Sequence, residues 1–137
     1  MRTTLLRAAA LAAAFLAGIA CTSAADYPAR PITLVVPYAA GGGNDVIARI
    51  VAERMSANLG QPIVIENRGG AGGTIATRQV AKAEPDGYSL LIATSSLAIN
   101  PSLYPNIGYD PRKDFAPVGL IASSSNCLLY TSPSPRD

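Results

Sequence analysis

Twice in this chain a short apolar, β-branched run empties into a glycine-rich turn and then into a helix-forming segment. The first is Ile32–Asp45, ITLVVPYAAGGGND, and the second is Gln61–Gly73, QPIVIENRGGAGG. A strand that is apolar on both faces belongs inside a parallel sheet covered by helices on each side. Parallel neighbours need a crossover, which the helical segment after each loop supplies. The repeated unit therefore restricts the chain to an α/β fold with a parallel sheet of βαβ units. It also places both loops at one edge of that sheet, each with a helix N-terminus behind it. The first N–H groups of a helix have no intrahelical partner and lie at the positive end of its dipole. Such an edge suits an anion.

The rest of the pattern follows the chain. Ile32–Val36 is the first strand, ended by Pro37. Asn44 or Asp45 is placed to cap a helix that runs to Leu59 and stops at Gly60. Val46, Ile47, Ile50, Val51 and Met55 recur at helical spacing and are expected inward, with Arg49, Glu53 and Arg54 facing away. Ile63–Ile65 is a second short strand, Gly69–Gly73 a second loop, and Thr74–Ala83 a helix with Ile75 and Val80 inward. Glu84-Pro85-Asp86-Gly87 is a turn, and Tyr88–Thr94 is a third strand. Ser95–Asp114 reads as a short helix plus a structured loop. Phe115–Ala122 is apolar but carries Pro117 and Gly119, which suit an edge or crossing strand leaving the first lobe.

The two ends stand apart from this pattern. Arg2 and Arg7 precede an Ala/Leu-rich run, Ala8–Ile19, and small residues continue to Ala25. This is the layout of a secretory signal peptide over residues 1–25, shorter than the roughly 20 apolar residues that span a bilayer. A periplasmic protein beginning at Asp26 is expected. Lipidation at Cys21 is the alternative, but Gly18 stands where a lipidated Cys is usually preceded by Leu. Residues 127–137, CLLYTSPSPRD, resemble the translation of a sequencing-library adapter. On that reading residues 26–114 are the first part of a lobe, 115–126 the crossing segment toward a second lobe, and the natural chain continues past Asn126. The formal charge of +2 comes from Arg2 and Arg7, since acidic and basic residues balance between Asp26 and Asn126. No basic cluster points to nucleic acid. Both cysteines, Cys21 and Cys127, fall in the two ends, so the segment between has neither a disulfide framework nor a thiolate metal site.

Motifs for chemistry are missing. No Gly-Lys pair exists to form a phosphate-binding P-loop, and Gly41-Gly42-Gly43-Asn44-Asp45-Val46 puts Val46 where a dinucleotide fingerprint needs a small residue. Asp45 would also repel a pyrophosphate. With no histidine in the chain, the usual general base and the Ser-His-Asp triad are absent, and no Gly-x-Ser-x-Gly elbow surrounds Ser95 and Ser96. What remains is capture of an anion by backbone N–H groups. Charge-assisted bonds contribute about 1.5–3 kcal/mol each and a helix end about 0.3–1. Two or three bonds with two helix ends reach about 4–8 kcal/mol before binding costs, against about 8 net for micromolar affinity. A second lobe must then close over the ligand. Asp45 suits a cap that holds the loop, and Arg68 either pairs with a ligand carboxylate or has a structural partner. Tyr38 lines the cleft or packs on the first helix. Thr94 and Ser95, after the third strand, offer hydroxyl or backbone donors.

Three segments carry a resemblance to a known family: VPYAAGGGNDVIARIVAERM, QPIVIENRGGAGGTIATRQVAKAEPDGYSLLIAT and NPSLYPNIGYDPRKDFAPV. In register across Tyr27–Ser125, they resemble the substrate-binding proteins of tripartite tricarboxylate transporters, the Bug family. Ala76 departs from the family's usual Gly. The resemblance implies a type II periplasmic binding protein of two lobes, monomeric at full length, that clamps a small carboxylate and delivers it to membrane permease subunits without chemistry, cofactor or metal. Carried over, the ligand-binding residues are Tyr38, Ala39, Ala40, Gly41, Gly42, Gly43, Asn44 and Asp45 in the first loop. Gly70, Ala71, Gly72 and Gly73 follow in the second, with Thr94 and Ser95 as the third contact. A ligand sensor feeding a regulatory system, or an exported enzyme with its catalytic residues beyond Asn126, are the alternatives.

Overall fold

The computed structural model describes residues 27–125; the expected signal peptide and the adapter-like tail lie outside them. Three parallel strands form one sheet in the order β2-β1-β3, with β1 at Ile32–Val36, β2 at Ile63–Asn67 and β3 at Ser89–Leu91. Register runs from Ile32 opposite Ile63 to Val36 opposite Asn67, and from Thr33 opposite Ser89 to Val35 opposite Leu91. The central place of β1 follows from its composition: Ile32, Leu34, Val35 and Val36 are all buried, because the strand has a helix on each face.

Helix α1, Gly43–Leu59, covers one face and α2, Thr74–Ala81, the other. Leu34, Val36 and Ile92 pack with Ala48 and Ala52 of α1, and Ile63 and Ile65 join them from β2. Thr33 and Val35 face the opposite way, toward Gln79 and Val80 of α2. A third helix, α3 (Ser95–Leu103), follows β3 and packs against α2 and the loop before it. No helix of the described residues is long and apolar enough to cross a membrane.

Several local expectations change. The inward face of α1 is Asp45, Ala48 and Ala52, while Val46, Ile47 and Ile50 are exposed. Small alanines let the helix approach the sheet closely, and the aliphatic stripe lies one position round from that contact. Ile75 is likewise exposed, and Thr74, Ala76 and Thr77 are the buried residues of α2. Strand β2 extends two residues further than expected, to Asn67, and β3 is shorter. Phe115–Ala122 forms no strand; the chain is irregular from residue 115 onward and finds no partner strand among the described residues.

Candidate functional site

Each helix starts at the C-terminal edge of the sheet, so the loops after β1 and β2 and the start of α3 gather there. The loops touch: a Cβ on Gly69 would lie 3.5 Å from the Ala39 nitrogen, and one on Gly73 3.1 Å from Pro37 Cβ. Loop 1 runs from Tyr38 into α1, whose N-cap is Gly42 in extended backbone with no side-chain cap. Asn44 and Asp45 therefore sit inside the first turn and do not cap it. Asp45 instead reaches backward. Its Oδ2 accepts the Gly41 N–H at 2.8 Å and Arg49 Nε at 3.0 Å, and its Oδ1 accepts Asn67 Nδ2 at 2.9 Å. The Arg49 guanidinium, then the Gly41 and Asn67 donors, pull the Asp45 pKa down to about 2. This buried carboxylate braces the loop from beneath. Asn67 Nδ2 also donates to the Tyr38 carbonyl at 3.3 Å.

Loop 2 is ordered differently. Ala71–Gly73 make one 3-10 turn, closed by the Gly73 N–H donating to the Gly70 carbonyl at 2.9 Å. Gly70, Gly72 and Gly73 have φ of 126°, 62° and 87°, a region other residues enter only at a cost. Buried Asn100 of α3 donates to the Gly72 carbonyl at 3.0 Å, and Thr77 Oγ1 donates to the Gly73 carbonyl at 2.9 Å. At the third corner, the Tyr38 hydroxyl lies 2.7 Å from Thr94 Oγ1 and 3.1 Å from Ser96 Oγ.

The predicted residues thus come together, but with divided roles. The N–H groups of Gly41 and Gly73 are spent internally, and Gly42 donates to the Ala39 carbonyl at 3.4 Å. Those of Ala39, Ala40, Gly43, Asn44, Ala71 and Gly72 meet no acceptor among the described residues. Ser95 is exposed, and Ser96 is the serine that joins the cluster. Arg68 is engaged by Glu66 and by Gln79. Among the described residues no group of His, Cys, Asp and Glu is placed to hold a metal. Asn67, Ser96 and Asn100 were not among the predicted residues. Asn67 and Asn100 gave no local signal, since their partners lie 22 to 29 residues away.

The edge thus gathers backbone N–H groups that have no acceptor among the described residues. Comparison with known proteins gives the family. Residues 47–137 match the family TctC, described as the tripartite tricarboxylate transporter family receptor. The chain belongs to that receptor family. It is 47% identical over 120 residues to Protein BugT of Bordetella pertussis, covering 85% of this chain and 36% of BugT. Among solved structures, the periplasmic binding protein BugD superposes with a TM-score of 0.66 at 55% identity, over 68% of this chain and 31% of BugD. MatC from Rhodopseudomonas palustris, solved with bound malate, gives a TM-score of 0.62 at 45% identity, over 69% of this chain and 33% of MatC. The chain spans about a third of the length of these receptors, and its fold is that of a periplasmic-binding-protein segment. Ala76, where the resemblance led to an expectation of Gly, is fully buried in α2.

Proposed function

We propose that residues 26–114 form the first part of lobe 1 of an exported solute-binding receptor. It captures a small carboxylate in the periplasm and passes it to the permease subunits of a tripartite transporter. One observation carries this reading: two loops from neighbouring parallel strands abut, leaving amides of Ala39, Ala40, Gly43, Asn44, Ala71 and Gly72 without acceptors among the described residues at one edge. A carboxylate that receives two or three of these bonds is held without a cation, and the helix starts behind them add to the field. The malate bound by MatC supports the ligand class. The proposed role is binding and release, with no enzymatic step.

In this proposal residues 1–25 are the signal peptide, 115–126 lead toward lobe 2, and 127–137 are not native. The test begins with the locus, sequenced from source DNA across codon 126. A frame that continues through a second lobe, and a full-length product that binds citrate, malate, glutamate or benzoate by calorimetry, supports the reading. A stop after Asp137, or a full-length product indifferent to all four acids, overturns it.

A further inference from the structure

Tyr38 joins the C-terminal ends of all three strands. It stands two residues beyond β1, its carbonyl accepts from Asn67 at the end of β2, and its hydroxyl meets Thr94 and Ser96 just past β3. Thr94 Oγ1 and Ser96 Oγ are themselves 2.8 Å apart, so the three oxygens close a triangle. Each hydroxyl carries one proton, and three donors serve three edges with none to spare. With one proton on each edge, the triangle keeps none to donate to a carboxylate. It sits between β1, whose loop leads to α1 on one face, and β3, whose helix packs with α2 on the other. That is the switch point at which open parallel sheets bind their ligands.

We infer that Tyr38 is a positioning residue and not a ligand contact: locked by Thr94 and Ser96, its side chain fixes the root of the loop whose amides take the carboxylate. The inference rests on the carboxylate-site reading above. Ser96 becomes part of the binding machinery through Tyr38, although it lies outside both glycine loops. Removing the Tyr38 hydroxyl leaves Thr94 and Ser96 paired with each other, so the fold loses little while the loop loses its anchor. Preorganisation lost from a binding loop appears as affinity.

The test uses the full-length receptor and whichever of citrate, malate, glutamate or benzoate it binds most tightly. Tyr38→Phe is expected to weaken binding about tenfold, the scale of one hydrogen bond, with a melting temperature within a few degrees of the parent. Ser96→Ala should weaken it less, Ser96→Thr should restore it, and the double variant should bind no more weakly than Tyr38→Phe alone. Losses that add show a hydroxyl touching the ligand and overturn the inference, as does a Tyr38→Phe receptor that binds like the parent. Should Tyr38→Phe fail to fold, amide exchange in Ser96→Ala decides. Faster exchange at Ala39 and Ala40 supports the anchor, and unchanged exchange overturns it. A parent receptor that binds none of the four acids overturns the site reading itself.

Discussion

The two glycine-rich loops look alike as sequence and are held by different means. In loop 1 Gly41 takes φ +82°, while a Cβ at Gly43 would meet nothing within 4 Å. Its order comes from side chains, with Asp45 and Asn67 below and Tyr38 at the root. In loop 2 the glycines are the order. Gly70, Gly72 and Gly73 all take positive φ, and Gly73 is pressed against Pro37. One residue type thus does two jobs, open space at Gly43 and conformation at Gly41, Gly70, Gly72 and Gly73, and only the surroundings separate them.

The sharpest way to break this comparison is to give each loop a methyl group. Gly73→Ala puts a Cβ at φ +87° and 3.1 Å from Pro37 Cβ. Backbone strain and overpacking together are expected to cost about 2–4 kcal/mol in a denaturant melt. Gly43→Ala, in open space at the first position of α1, is expected to change stability by less than about 0.5 kcal/mol. On the carboxylate-site reading it should nevertheless weaken binding, since the methyl would occupy the open space beside the Gly43 and Asn44 amides. Equal destabilisation by the two substitutions would erase the distinction.

Asp45 supplies the next test, because only loop 1 depends on a charge. Its carboxyl is held near 2, below the ordinary 3.8, so its contribution to stability is complete above about pH 4 and disappears as pH falls toward 2. Asp45→Asn is expected to lower stability at neutral pH and to flatten the acid limb between pH 4 and 2. Some slope remains, since Asp86 and Asp110 are also lowered, chiefly by the backbone N–H groups of Tyr88 and Arg112. Amide exchange locates the effect: Gly41 should exchange about tenfold faster in the variant while Gly72 is unchanged. Parallel acceleration at both glycines would mean that the loops share one support.

How far the sequence reached follows the same divide. Strand β1, both loops and the parallel βαβ plan were legible because β-branched runs and glycines act locally. The packed face of α1 was not. Val46, Ile47 and Ile50 are its conspicuous apolar residues, yet Ala48 and Ala52 are what the sheet touches. Hydropathy reports what a side chain prefers and says nothing of how closely two backbones approach. Ser95 and Ser96 show what composition alone leaves open. Neighbours on a helix point about 100° apart, so a one-residue difference decides which hydroxyl meets Tyr38. Asp45 was expected to hold the loop by capping the helix; it holds it instead through Gly41 and Asn67, and Asn67 lies 22 residues away. Phe115–Ala122 had the composition of a strand and, among the described residues, no neighbour to pair with.

Arg68 gives the smallest expected effect and the most direct check on whether loop 2 binds through its backbone. It is the one cation next to that loop in the sequence, and a carboxylate site built on side chains would use it. In the structure its Nε donates to Glu66 Oε1 at 2.7 Å and its Nη1 to Gln79. Both partners of the ion pair are partly open to solvent, 44% for Arg68 and 36% for Glu66. Such pairs contribute about 0.2–1 kcal/mol. Arg68→Ala is therefore expected to lower stability by no more than that and to change carboxylate affinity less than twofold. If Arg68 instead left Glu66 for the ligand, deleting it would remove a charge-assisted bond and lower affinity by at least about tenfold. Calorimetry at two salt concentrations separates the cases. A backbone site keeps the same salt dependence in the variant, and a guanidinium site loses part of it.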